Sequence, residues 1–208
     1  MKKHQKIISI LGASSGSGAT YIGTRLAIEM GKSKSSVTFL EDYSCNCSKC
    51  EKSPLVYYEH ELYRKPRFKD FFFEKMTGHI IDNHVNDYKG VNWVVRTPES
   101  PVCTIRPDEV AGEYVIWDCD HDFDGSDLII CVIVPSKMHL MAGVENVRYL
   151  KKRFAGKTLF LFNNVTSGAA LKKAESFLKI KADFCLSTNE EDSQEALVNL
   201  SKYIVTLF

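Results

Sequence analysis

The sequence predicts a three-layer α/β fold, a mainly parallel sheet with helices on both faces. Three observations carry this. Apolar, β-branched runs alternate with segments of helical period, the pattern of βαβ units. Runs such as LIICVIV at 128–134 are apolar throughout, as suits strands covered on both faces. A Gly- and Ser-rich stretch, GASSGSG at 12–18, falls where a first strand would turn into a first helix.

The elements follow in order. Lys6–Leu11 is an apolar run ending in glycine, the expected first strand. Thr20–Gly31 places Ile22, Leu26 and Met30 at helical spacing. Ser36–Leu40, Val91–Arg96, Glu113–Asp118, Leu128–Val134 and Lys157–Asn163 are the next strands expected. Helices are expected over Lys137–Arg153 and Ser167–Lys179, then a short strand over Asp183–Leu186. A final helix over Glu190–Phe208 sets Ala196, Leu197, Leu200 and Ile204 on one face. At 208 residues the chain suits a single domain over 1–208, with an irregular insertion at about 44–90 that is rich in Tyr, Phe, Cys and His. Within it, FKDFFFEKM at 68–76 holds too many aromatics for a fully solvated helix. It reads as core packing, with a partner groove as the alternative.

Composition narrows the class. Apolar residues at 44% and charged residues at 25% are ordinary globular usage, which excludes a disordered, collagen-like or coiled-coil chain. A net charge of +1 gives no bulk attraction to nucleic acid or membrane. Seven cysteines, an odd number, argue against a disulfide scaffold and for a reducing, cytoplasmic setting. The apolar runs are too short to span a bilayer. MKKHQKIISILGASS reads as a first strand, not a signal peptide. Charge is uneven along the chain, however. Residues 108–127 hold eight carboxylates and no Lys or Arg, while 145–181 holds nine basic residues against Glu145 and Glu175, a local +7. The second stretch reads as solvated helix faces, or as a basic face for nucleic acid, acidic lipid or an acidic partner.

The loop at 12–18 carries the most chemistry. In a parallel sheet it lies at the carboxyl edge of the strands, where backbone N–H groups and a helix N-terminus face an anion. Against the phosphate-loop pattern G-x-x-x-x-G-K-[ST], Gly18 and Thr20 fit, whereas Ala13 replaces the first glycine and Ala19 the lysine. The same stretch also reads as a strand-to-helix turn whose glycines serve packing.

Order and spacing of the remaining segments resemble the ParA/MinD branch of P-loop ATPases. EYVIWDCD at 113–120 is similar to the Walker B strand, with Asp118 at the acidic position. SDLIICVIVPSKMHLMAGVENVRYLKKR at 126–153 resembles the next strand and helix, and GVNWVVRTPES at 90–100 the strand and proline turn between the switch regions. LFLFNNV at 159–165 resembles the strand ending in an adenine-contacting Asn, here Asn163, and VTFLEDY at 37–43 the strand that ends in D-x-D. The resemblance covers most of the chain outside about 44–90. It implies nucleotide contacts from Ser14, Ser15, Gly16, Ser17, Gly18, Ala19, Thr20 and Asn163, and Mg²⁺ held by Thr20 and Asp118, with ATP or ADP as the cofactor. It also implies a homodimer and a protein partner, as in the pilus-assembly (TadZ/CpaE kind) and partitioning members.

The departures change the expected activity. The signature lysine's place is Ser14 and the general phosphate lysine's place is Ala19. Lysines at those positions neutralise ATP and the transferring phosphoryl group. Without them, hydrolysis is expected to be weak or absent, and the role to be positional or scaffolding. Two rival readings stay open at this stage. One is a slow ATPase or nucleotide switch with a substitute cation from 145–181. The other is a metal- or redox-sensing regulator. The latter rests on Cys45, Cys47 and Cys50, a C-x-C-x-x-C cluster whose soft ligands suit Zn²⁺ or an iron–sulfur cluster, with His60 or Cys103 as a fourth ligand. Asp120, Asp122 and Asp124 match the start of a calcium loop, but the twelfth position is Cys131, so an EF-hand is not expected. The apolar NLSKYIVTLF tail lacks a basic face and is expected to close the core, not to bind membrane.

Overall fold

In this computed structural model the described residues are 4–33, 35–42, 69–78, 86–96, 100–101, 103–119 and 123–208. They contain strands β1 (Lys6–Gly12), β2 (Val37–Asp42), β3 (Asp87–Tyr88), β4 (Val91–Val94), β5 (Tyr114–Cys119), β6 (Leu128–Ile133), β7 (Thr158–Val165) and β8 (Phe184–Ser187). Helices are α1 (Ala19–Gly31), α2 (Phe71–Thr77), α3 (Lys137–Arg153), α4 (Gly168–Leu178) and α5 (Glu190–Leu207). The sheet order is β3-β4-β2-β5-β1-β6-β7-β8, parallel except for the antiparallel β3. The expected three-layer, mainly parallel α/β fold is therefore present.

Period-2 alternation divides the strands between two cores. Ile8, Ile10, Phe39, Ile116, Ile130 and Val132 face the layer of α1 and α5, meeting Ile22, Leu26, Leu197, Leu200 and Ile204. Leu40, Val115, Trp117, Ile129, Cys131 and Phe162 face the opposite layer, meeting Phe71, Val147, Leu150, Ala174 and Leu178. A strand buried on both faces must be apolar at every position, which is why β6 reads LIICVI.

Two expectations receive detail here. Phe71 and Phe72 of α2 are fully buried, whereas Phe73 and Met76 are exposed, so this segment packs one edge into the core. Helix α5 closes the fold as expected. Its Gln194 accepts from Arg25 and donates to Glu29 Oε1 at 2.6 Å, tying it to α1. No helix among the described residues is long and apolar enough to cross a membrane. The antiparallel β3 was not expected, and the strand from Val91 ends at Val94, short of Arg96.

The sheet's middle places the site. β1 lies between β5 and β6, with Ile10 beside Asp118 on one side and Ile130 on the other. Its amino end is fixed by Asp127, whose carboxylate accepts from the Ile7 N–H at 2.8 Å and whose N–H donates to the Ile7 carbonyl at 2.8 Å. Its carboxyl end runs directly into the Gly/Ser loop.

Candidate nucleotide site

The loop leaves β1 at Gly12 and enters α1 at Ala19. Its first peptide is held by the sheet, the Ala13 N–H donating to the Val132 carbonyl at 2.8 Å. It is closed by the Ser17 N–H donating to the Ser14 carbonyl at 3.3 Å. Gly16 and Gly18 take positive φ, 75° and 88°, a region costly for other L-residues. At Gly18 space is also short, because a Cβ there would lie 2.8 Å from Asn163 Nδ2. That amide donates to the Ser17 carbonyl at 2.9 Å, while Asn163 Oδ1 accepts from the Asn164 N–H at 2.9 Å. Asn163 therefore reaches from the end of β7 and pins the loop where α1 begins.

Helix α1 starts without a side-chain cap. Its cap residue is Gly18, and no acidic residue stands in its first turn. The other described α-helices are each capped by a side chain, from Asp70, Ser136, Ser167 or Asn189. An uncapped N-terminus at the carboxyl edge of a central parallel strand presents positive dipole and backbone donors to an anion. Ser15 and Gly16, on the loop's crest, are exposed, whereas Ser17 is buried.

Next to the loop lies a pocket of about 290 Å³ lined by Tyr21, Asn163, Asn164, Leu186, Ser187 and Thr188, among others. Apolar, amide and hydroxyl groups of this kind suit a planar heterocycle. On the loop's other flank, Asp118 ends β5 and is 3% exposed. It pairs in register with Glu41 of β2, itself buried. Alternation puts both carboxylates on the α1 face, with Ile116 and Phe39. Glu41 accepts from the Arg96 N–H at 3.1 Å. Thr20 stands in the first turn of α1. A hydroxyl and a carboxylate are hard oxygen donors, the kind Mg²⁺ takes. In kind, then, Thr20 and Asp118 fit the metal, and the loop fits a phosphate.

A third helix completes the site and was not foreseen. Helix α3 lies against the loop, where Gly143 leaves room: a Cβ there would come within 2.9 Å of Ala13 Cβ. Asn146 Nδ2 donates to the Ala13 carbonyl at 2.9 Å. From the first turn of α3, His139 Nδ1 lies 2.9 Å from Ser14 Oγ. A signal existed in the sequence. α3 follows β6, a neighbour of β1, so its first turn shares the loop's edge of the sheet.

Four of the cations of 145–181 considered as substitutes are engaged elsewhere. Arg153 pairs with Asp124 at 3.2 Å, and Lys157 donates to the Ser126 carbonyl at 2.7 Å, both at the amino edge of β6. Arg148 pairs with Glu145, and Lys151 reaches the Lys179 carbonyl. Arg25 turns to Tyr21 and the start of α5.

This strand order, with its Gly/Ser loop and the Asp118 strand beside it, decides the fold. It is the ParA/MinD fold. Solved structures agree over almost the whole chain. A Borrelia burgdorferi B31 protein assigned to plasmid partition and bound to AMPPNP superposes with a TM-score of 0.69 at 14% identity, over 99% of this chain and 100% of that one. The septum site-determining protein MinD of Pyrococcus horikoshii OT3, complexed with Mg-ADP, gives 0.68 at 13% identity, over 98% and 97%. A ParA family ATPase of Chlorobium tepidum TLS gives 0.62 at 12%, over 96% and 100%. No family model and no curated protein matches the sequence.

The cysteine cluster Cys45, Cys47 and Cys50, with His60, lies outside the described residues, as do Asp120 and Asp122. Among the described residues no group of three or more His, Cys, Asp or Glu is placed to hold a metal. Cys103, the other candidate ligand, lies against the Phe72 carbonyl, and burial pushes its thiol up from the ordinary value. Burial pushes the Cys131 thiol up to about 12. Both are protonated at neutral pH and unreactive as thiolates.

Proposed function

We propose that this chain binds a magnesium nucleotide weakly through the loop at 13–20 and turns it over slowly or not at all, acting as a positioning or scaffolding factor. One observation carries the reading. Gly16 and Gly18 take positive φ and α1 is uncapped, which supports a loop that receives phosphate. Yet the two positions where the resembled family carries lysine hold Ser14 and Ala19.

The magnitudes separate binding from catalysis. A hydrogen bond to a charged group contributes about 1.5–3 kcal/mol, so two missing lysines remove about 3–6 kcal/mol. That is roughly 10²- to 10⁴-fold in affinity. Backbone donors, the α1 dipole and Mg²⁺ at Thr20 and Asp118 remain. Charge developing on a transferred phosphoryl group, however, meets no lysine, and such stabilisation supplies most of the rate in this chemistry. The solved relatives of like fold that hold AMPPNP and Mg-ADP support a nucleotide as the ligand. The scaffolding part is supported by exposed Met141 and Phe177 at a groove between α3 and α4. There Lys137 and Lys173 suit an acidic, amphipathic segment of a partner protein.

The test is ATP turnover by phosphate release, with Thr20→Ala and Asp118→Ala as controls. The reading expects a wild-type rate less than about tenfold above that of both variants. A wild-type rate at least tenfold above them would make the chain an ATPase and overturn it.

A further inference from the structure

We propose that His139 supplies the positive charge that Ser14 and Ala19 cannot, so that the loop's affinity for a polyphosphate follows the protonation of one imidazole. This rests on the reading that the loop holds a nucleotide.

The ring is placed for the task. Its Nδ1 lies 2.9 Å from Ser14 Oγ. Its Cε1 lies 3.6 Å from where a Cβ would stand on Gly16, so the imidazole runs along the exposed arc of the loop from Ser14 to Gly16. It is half-buried. The helix that carries it is fixed on the loop twice, by the close approach of Gly143 to Ala13 and by Asn146. Ser14 is also the position that the resembled family fills with its signature lysine, so charge from His139 arrives at the place where it is missing.

Proton bookkeeping gives the direction. When the ring is neutral and Nδ1 accepts, the Ser14 hydroxyl donates its hydrogen bond to the ring and not to a ligand. A protonated ring must donate from Nδ1, which turns the Ser14 hydroxyl hydrogen outward and adds a cation beside the loop. Both changes favour an anion. Ser14 and Gly16 of the loop lie beside the ring, and neither carries a charge; on its own helix Ser136 caps the His139 backbone N–H. Among the described residues no carboxylate pairs with His139, and Lys137 is its nearest charged neighbour in sequence.

Calorimetry of MgATP binding at low salt, from pH 5.5 to 8.5, tests this with wild type, His139→Gln and His139→Lys. The glutamine variant reports the ligand's own titration. Wild-type affinity is expected to rise about tenfold or more relative to His139→Gln as pH falls through the imidazole range. Buffers of different ionisation enthalpy should show proton uptake in wild type only. His139→Lys should bind at pH 8.5 as tightly as wild type at pH 5.5. Parallel profiles for wild type and His139→Gln, or a loss of equal size at every pH, would reduce His139 to a tie between loop and helix and overturn the proposal. Heat with no pH difference between the proteins sinks this inference alone, whereas no heat from any of them at any pH sinks the nucleotide reading with it.

Discussion

Replacing Gly18 by alanine should damage stability and site together. Gly18 sits at φ 88°, where an L-residue costs about 1–2 kcal/mol. The new Cβ would stand 2.8 Å from Asn163 Nδ2, closer than carbon and nitrogen tolerate, so Asn163 must withdraw. Its bond to the Ser17 carbonyl is then lost, about 0.5–1.5 kcal/mol. The expected total is about 1.5–3.5 kcal/mol. Gly168 is the control, being exposed with nothing within 4 Å of an added Cβ; Gly168→Ala should be neutral or stabilising by up to about 1 kcal/mol. Urea unfolding reads both, as a shift of midpoint at constant slope. In an Asn163→Ala background the collision disappears, and Gly18→Ala should cost only the backbone part. A Gly18→Ala protein within about 0.5 kcal/mol of wild type would refute the reasoning, since neither the left-handed backbone nor the Asn163 clamp would then be real.

Other expectations follow from the same geometry. Ala19→Lys restores one charge-assisted contact and should tighten MgATP binding about 10- to 150-fold by calorimetry; unchanged affinity in a folded variant would mean that the loop does not face phosphate. Cys131, its thiol raised to about 12 by burial, should resist iodoacetamide at pH 8 in the native protein and react only in denaturant, as peptide mass mapping can show. Glu175 accepts from the Ala182 N–H at 2.9 Å, and that bond, with Lys181 beside it, holds its carboxyl below the ordinary value of 4.5. A lowered folded value means stabilisation that is present above the unfolded value and lost as pH falls through the folded one. The stability difference between wild type and Glu175→Gln should therefore shrink as pH falls below 4.5 and vanish once it passes the lower folded value; a difference that grows there would reverse the sign.

The sheet was legible because most of its strands are buried on both faces, and an apolar run of six or seven residues between helical patterns has few other readings. β3 was not, since two residues carry no period. Helix α2 was half legible: the aromatic excess in FKDFFFEKM signals burial, but which rings turn inward depends on where Asp70 caps the helix. The loop was legible from Gly16, Gly18 and Thr20 because turn chemistry is local. His139 was not found, because its partner Ser14 is 125 positions away and the pairing exists only once β6 lies beside β1. Asn163 was expected to meet adenine. The structure puts it at the edge of the pocket with its amide already holding the Ser17 carbonyl, a contact that no spacing rule encodes. The basic stretch at 145–181 read as solvated helix faces or as a surface for anions; Arg148 and Lys181 pair with Glu145 and Glu175 of the same stretch, whereas the pairing of Arg153 with Asp124 is visible only in the fold.

The most direct measurement is MgATP calorimetry on the wild-type chain at neutral pH and low salt, followed by product analysis of the same sample. The account predicts saturable heat with a Kd of about 0.1–1 mM, corresponding to roughly 4–5.5 kcal/mol, and ATP largely intact at the end. No heat at about 10 mM MgATP, or most of the ATP consumed during the titration, would contradict it.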